Sequence, residues 1–324
     1  MVVRKMKNYN PLVLRFSGLR KFFARTWVKR ICNWIINIYL TAFCLAVLWV
    51  VGQVFCFASF STPTRSMTPT IVPGDYVLVN KFVMGPRLFN IFDALDGKQV
   101  NIRRGPHFGE LKSGDVVVFN HPYAAKWDSL AMNIRLYYMK RCIAVPGDTV
   151  ELRDCRYWIN GERTDVGVAS KQKEVADFLD RYADEPEVIE KAIVMKAFPN
   201  DPAVAWTIRD MGPLIVPQKG TVIELDSLSA IVYRNYIEWE TGGKLSNDST
   251  GIRLDGEAID SYEFKKDYCF VAGDNAFNSQ DSRYFGLLPV DYVVGKAAFI
   301  WQSIDPVSGR RRWNRTFDTM KSEK

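Results

Sequence analysis

The sequence predicts a mainly β protein carried behind a single N-terminal transmembrane helix, with an α+β cap inserted into the β core. Three observations predict it: an uncharged apolar run behind a basic leader, Gly-Asp turns that repeatedly enter Val-rich runs, and one later stretch rich in helix formers. At 324 residues the chain has room for one large or two modest domains. With 48% hydrophobic, 13% aromatic and 24% charged residues it is not a disordered chain, and two histidines with six unclustered cysteines argue against a zinc enzyme.

The formal charge of +7 belongs to one end. Residues 1–30 hold nine basic side chains (Arg4, Lys5, Lys7, Arg15, Arg20, Lys21, Arg25, Lys29, Arg30) and no acid; the first carboxylate is Asp75. Without those nine, 34 basic residues face 36 acidic ones, so the remainder gives no reason to expect nucleic acid. The leader 1–30 is therefore expected as a cytoplasmic segment and 31–59 as the membrane helix. Its apolar heart, Ile38 to Phe57, spans about 30 Å as a helix, the thickness of a bilayer's hydrocarbon core. A cleaved signal peptide and a buried core helix compete with this reading. The former has a shorter apolar region, and the latter leaves the acid-free leader unexplained. Retained Lys and Arg keep the N-terminus inside and put the chain from about residue 60 outside.

Beyond the helix, Pro73-Gly74-Asp75 precedes YVLVNKF, Ser113-Gly114-Asp115 precedes VVVF, Pro146-Gly147-Asp148 precedes TVEL, and WINGE follows at 158–162. Such turns and β-branched runs are strand signals. Residues 171–198 read as two short helices parted near Pro186, and TVIEL and IVYRNY as short strands between 201 and 256. These place a β core at 60–155 and 262–304, an insertion or cap at 156–261, and a solvated tail at 305–324. Cys142, Cys155 and Cys269 cannot all pair with one another. A hairpin turning at Pro146-Gly147 would set Cys142 opposite about residue 151 rather than Cys155, so a disulfide is possible but not required.

Three segments carry candidate chemistry. FSTPTRSMTPTIVPGDYVLVNKF (60–82) puts Ser66 on backbone restricted by Pro63 and Pro69. YYMKRCIAVPGDTV (137–150) reads as a strand in which Tyr138, Lys140, Cys142 and Ala144 share a face and Arg141 points to the other. FVAGDNAFNSQDSRYFGLLP (270–289) gathers Asp274, Asn275, Ser279, Asp281, Ser282 and Arg283. Taken singly, each has an ordinary structural reading: a surface serine, a solvated lysine, a local ion pair. A serine nucleophile needs a base, and a lysine of pKa about 10.4 is neutral only about once in a thousand near pH 7.4. Lowering it to about 8 by burial on an apolar strand face costs roughly 3 kcal/mol and raises the neutral fraction about 200-fold. His107 and His121 sit in loop sequence and make poor triad bases. Ser170-x-x-Lys173 lacks the partner motifs of penicillin-binding proteins.

Together the three segments resemble the membrane-bound type I signal peptidases, serine proteases with a Ser/Lys dyad. The likeness lies in S-M-x-P-T from Ser66, Gly74-Asp75, Val79-x-Lys81-Phe82, K-R-x-x-A-x-P-G-D from Lys140, and G-D-N-x-x-x-S-x-D-S-R-x-x-G from Gly273. It covers about 60 positions and little of 156–261. The resemblance implies Ser66 as nucleophile and Lys140 as general base, with Ser279 hydrogen-bonding the Lys140 amine and Asp281 with Arg283 holding the loop. It implies an oxyanion hole from the Ser66 N–H and the Thr64 side chain, Thr standing where Ser is common. Arg65 replaces a small residue. By the same resemblance Phe60, Thr62, Met67, Ile71, Tyr138 and Met139 line pockets for small side chains, and a substrate strand lies beside the Lys140 strand; Met67 and its neighbours could also touch lipid. The implied function is removal of signal peptides after small residues, Ala-x-Ala-like, by a single-pass enzyme of the bacterial inner membrane, its catalytic domain on the extracytoplasmic face. No cofactor is expected, the partners are pre-proteins and the bilayer, and a monomer is expected. Alternatives are a family protease dedicated to one precursor and an anchored β-domain that binds without catalysis. A soluble self-cleaving Ser/Lys repressor would need DNA-binding helices in place of the membrane segment.

Overall fold

The computed structural model describes residues 26–124, 127–248 and 251–320. Most of the basic leader, with the topology expected from it, lies outside the described residues. The chain divides into two units, Met1–Val54 and Phe55–Lys324. The described part of the first is a helix, α1 (Thr26–Phe55), whose most apolar window has a mean hydropathy of 2.2, long and apolar enough to cross a membrane. It stops short of residue 59 because the chain turns extended at once. Phe57–Ser61 forms strand β1, paired antiparallel with β2 (Asp75–Asn80) from Phe57↔Asn80 to Ser61↔Tyr76.

The second unit is a mixed α/β domain rich in antiparallel sheets, more helical than the mainly β reading. Its largest sheet adds β3 (Val116–His121), β4 (Asn133–Ala144), β9 (Tyr268–Ala272), β10 (Leu288–Pro289) and β11 (Val293–Ser303), in the order β1-β2-β11-β3-β4-β9-β10. A four-stranded sheet holds β5 (Thr149–Arg153), β6 (Arg156–Ile159), β7 (Glu162–Arg163) and β8 (Met211–Ile215) in the order β8-β5-β6-β7. The three Gly-Asp turns work alike. The Asp75, Asp115 and Asp148 carboxylates accept the N–H groups of Val72, Lys112 and Val145, three residues back, at 2.9, 3.0 and 2.9 Å. The turn at Pro146-Gly147 nevertheless closes no hairpin: β4 pairs with β3 and β9, while β5 pairs with β6 and β8. Cys142 therefore lies in the main core and Cys155 in a satellite cluster, and both are free thiols.

The helices α2 (Ala169–Arg181) and α3 (Pro186–Ala192) divide at Pro186, which occupies the first turn of α3 where its missing N–H costs nothing. IVYRNY, expected as a strand, lies instead inside helix α4 (Ser227–Thr241). Asp226 and Ser229 form a capping box at its start and Gly242 ends it at φ +72°; these end signals outweigh the β preference of Ile231, Val232 and Tyr233. Tyr233 and Tyr236 of α4 belong to the same hydrophobic cluster as Tyr268 and Phe270 of β9 and Phe119 of β3. The boundary expected at residue 156 falls in the β5–β6 hairpin, where Arg153 faces Arg156.

The tail is not simply solvated. Residues 312–320 fold back along β11, with Phe317 N–H donating to Ile300 O (2.6 Å) and Ile300 N–H to Asp318 O (2.9 Å). The Arg315 guanidinium reaches the wholly buried Asp75 carboxylate at 2.8 Å. A buried carboxylate demands a cation, and the terminal segment supplies it.

Candidate active site

Ser66 sits in the loop between β1 and β2, which is tied at its mouth: Thr62 N–H donates to Asp75 O (2.9 Å) and Gly74 N–H to Thr62 O (3.0 Å). Inside it, Ile71 N–H donates to Met67 O at 2.9 Å. Met67 and Ile71 are buried in a cluster with Val77, Val79, Val116, Val118 and Ile300. They pin the loop rather than line a pocket, and Met67, 1% exposed, has no surface to offer lipid, which corrects both expectations for them.

Lys140 arrives from β4, opposite Val117, and its Nζ stands 2.6 Å from Ser66 Oγ. Only 3% of the residue is exposed, and the Tyr138 ring lies 5.5 Å from Nζ. Burial pulls the Lys140 amine down to about 8; Asp281 and Asp274 oppose that shift and Arg283 adds to it. The neighbouring Arg141 turns away and grips Asp274 with two hydrogen bonds of 2.7 and 2.6 Å.

The third segment wraps behind the pair. Asp281 binds Arg283 at 2.8 and 2.9 Å and accepts the Gly273 N–H at 2.9 Å. Burial alone would raise the Asp281 carboxyl, but the Arg283 charge and hydrogen bonds, with Lys140 and the Gly273 N–H, bring it below its ordinary value. Both side chains are almost wholly buried. Asp281→Ala, which strands the guanidinium, is expected to cost about 3–5 kcal/mol of unfolding free energy, read from urea unfolding curves.

Asn275 N–H donates to Ser66 O (3.0 Å) and Asn275 Nδ2 to Arg65 O (3.2 Å), so this loop fastens the Ser66 backbone directly. Ser279 Oγ is buried without a hydrogen-bond partner among the described residues; the bond expected between it and Lys140 is not formed, and the amine bonds Ser66 instead. Thr64 Oγ1 lies 3.4 Å from Ser66 Oγ, and the Ser66 N–H has no acceptor among the described residues.

A cavity of about 370 Å³ opens beside the pair. Phe60, Thr62, Tyr138 and Met139 line it, together with Leu136, Tyr137, Asn278 and Gln280, which the sequence did not single out. Tyr138 O–H donates to Gln280 Oε1 (2.8 Å) across one wall, and the Phe60 and Tyr137 rings meet at 5.3 Å at another. From Tyr137 to Lys140, β4 pairs with β3 alone; β9 joins it only at Arg141, Cys142 and Ala144. His121 is enclosed by the rings of Tyr123, Trp127, Tyr138 and Phe285, and neither it nor His107 lines the cavity. Lys173 is engaged by Asp177 at 2.7 Å on the exposed side of α2. Among the described residues no group of three His, Cys, Asp or Glu side chains could share a metal ion.

Gly273 was missed as a site residue. A Cβ there would overlap Ser279 Oγ and stand 2.5 Å from Ser66 O, so only glycine lets the third segment close on Ser66. The G-D-N run contained that signal, but a close approach of two distant backbones is not written in either segment alone.

The family model of signal peptidase, peptidase S26, matches residues 32–302. The chain belongs to this family of peptidases. Among relatives, the signal peptidase I of Buchnera aphidicola subsp. Schizaphis graminum is 24% identical over 311 residues, covering 93% of this chain and 83% of the relative. That of Buchnera aphidicola subsp. Acyrthosiphon pisum is 28% identical over 262 residues, 78% of this chain and 70% of the relative. That of Helicobacter pylori is 26% identical over 270 residues, 80% and 78%. The matched span of the family model takes in every site residue described above.

Proposed function

We propose that this signal peptidase family member is a membrane-anchored serine endopeptidase that removes signal peptides from exported pre-proteins after small residues, with Ser66 as nucleophile and Lys140 as general base. The observation that carries the reading is the 2.6 Å approach of a buried lysine amine to Ser66 Oγ. With the amine neutral, Ser66 O–H donates to Nζ, and Lys140 takes the proton as Oγ attacks the scissile carbonyl. The oxyanion is received by the Ser66 N–H and the Thr64 hydroxyl. The Lys140 ammonium returns its proton to the leaving amine; the neutral lysine then draws a proton from the water that attacks the acyl-enzyme and gives it to Ser66 Oγ as the acyl bond breaks. Asp281 and Arg283 hold the loop behind Lys140. Ser279, whose buried Oγ is without a partner among the described residues, is the group that orients the amine during the reaction.

The free stretch of β4 from Tyr137 to Lys140 suits an extended substrate added as a strand, with alternate side chains entering the cavity between Phe60, Tyr138 and Met139. Leu136 and the Tyr138–Gln280 wall favour small side chains there. Ser66 follows the end of α1 by eleven positions, which supports substrates anchored in the same bilayer and activity that rises in detergent or lipid.

Incubation of the purified protein with a model pre-protein, the cut site read by mass spectrometry, tests the reading; no cleavage, or cleavage after bulky residues, would overturn it. Depletion tests its breadth: many uncut pre-proteins mean a general enzyme, one uncut precursor a dedicated one. The pH profile follows from the amine. Below about 8 the base is protonated, so kcat/KM is expected to rise about tenfold per pH unit and to level off above that value.

A further inference from the structure

The last residues of the chain grip the loop that bears Ser66. Arg315 Nη2 donates to Asp75 Oδ2 and to Thr70 O, both at 2.8 Å, and its Nε reaches both Asp75 oxygens at 3.2 Å. Arg312 Nη2 donates to Pro73 O (2.7 Å) and its Nε to Ser303 Oγ (2.8 Å), whose hydroxyl donates to Asp75 Oδ1 (2.6 Å). A third tie runs through Arg141, which donates to Met320 O (3.1 Å) while gripping Asp274. Neutralising Asp75 would need a charge only. The contacts to the Thr70 and Pro73 carbonyls do something more: they hold the descending half of the Ser66 loop by two acceptors to which no backbone N–H donates among the described residues. A planar guanidinium can hold a carboxylate and a carbonyl at once, which an ammonium on a flexible stem does poorly.

We propose that Arg312 and Arg315 are positioning residues, a C-terminal latch that sets Ser66 Oγ against Lys140 by clamping residues 70–75. The proposal rests on the Ser66/Lys140 reading and adds to it a segment some 240 positions away in the chain. It also explains why a tail of mostly polar composition is folded at all: Ile304 N–H donates to Gly74 O (2.9 Å) and Arg312 N–H to Ser303 O (2.9 Å), bringing both arginines to the loop.

The test uses the full-length protein in detergent. Arg315→Gln alone would leave the buried Asp75 with only the longer Arg312 contact at 3.4 Å, so the informative variant is Asp75→Asn with Arg315→Gln, which removes the charges of the shorter pair together; Arg315→Lys is the conservative partner. Active sites are counted with a serine-reactive acylating reagent, and kcat and KM for a model pre-protein are expressed per titrated site. The double variant is expected to lose about ten- to a hundredfold in kcat with KM within about twofold, the size of effect that a small misplacement of a reacting group produces. Arg315→Lys falls between, and the midpoint of the pH profile stays where the wild type has it. If turnover per titrated site matches wild type and only the titratable fraction falls, the latch is purely structural and the proposal is wrong. Ser66→Ala run alongside separates the two failures: an active Ser66→Ala protein sinks the Ser/Lys reading, whereas an inactive one beside normal latch variants sinks the latch alone.

Discussion

Lys140→Met is expected to abolish pre-protein cleavage while making the protein more stable. Removing the base from a paired nucleophile costs on the order of 10⁶-fold in turnover. Stability moves the other way because the amine is held at about 8 by burial, well below its unfolded value of 10.5. A lysine whose folded pKa is depressed imposes its penalty in full below the folded pKa, and the penalty fades as pH rises from there towards the unfolded pKa. At pH 7 that penalty is about 3 kcal/mol by the conversion of 1.36 kcal/mol per unit, and an apolar side chain of similar length removes it. Thermal unfolding of wild type and variant at pH 7 and pH 10 checks the sign: the gain should be large at the first and small at the second. Ser66→Ala should be equally inactive without the gain. A Lys140→Met protein that is dead and also less stable at pH 7 would mean that the lysine holds the fold rather than serving the chemistry.

The next largest effect is expected at a residue with no functional group. Gly273→Ala places a methyl against Ser279 Oγ and 2.5 Å from Ser66 O. The hydroxyl can swing aside, but Ser279 Cβ at 2.6 Å cannot, nor can the carbonyl, which also accepts the Asn275 N–H at 3.0 Å. Relief must come from moving the nucleophile loop or the third segment, and a shift of about 1 Å at reacting atoms costs on the order of 100-fold. The accompanying overpacking costs about 1–3 kcal/mol. Cleavage rates per titrated active site and melting temperatures measure the two separately. Adding Ser279→Gly removes one of the two clashes, so it should recover stability in part and little of the rate; full recovery of rate would show that the Ser66 carbonyl contact is unimportant.

What was legible in the sequence had a local physical signature. The long apolar helix announced itself by length and lack of charge, the Gly-Asp turns by residues that each satisfy a nearby N–H, and the Ser66 and Lys140 segments by family resemblance. Helix α4 was misread because its β-branched and aromatic residues outweighed its ends in the reading, although Asp226, Ser229 and Gly242 were there to be seen. The tail was misread for a different reason. Arg312 and Arg315 look solvated until Asp75, far back in the chain, is known to be buried. Met67 and Ile71 follow the same rule in reverse: neighbours of a nucleophile in sequence, they turn inward because the loop needs an apolar anchor. Local chemistry survives in a sequence, whereas which distant group answers a buried charge or a close backbone approach does not.

The unpaired stretch of β4 also carries a liability. Backbone N–H and C=O groups left without a neighbour strand accept any extended chain, not only a substrate. The exposed side chains of Arg135, Leu136 and Tyr137 border that opening, one charged and two apolar, so only the first discourages a neighbouring copy from docking edge to edge. If substrate completes this sheet as proposed, the sheet has to remain incomplete in every molecule that is idle, and crowding idle molecules together exposes all of those edges to one another at once.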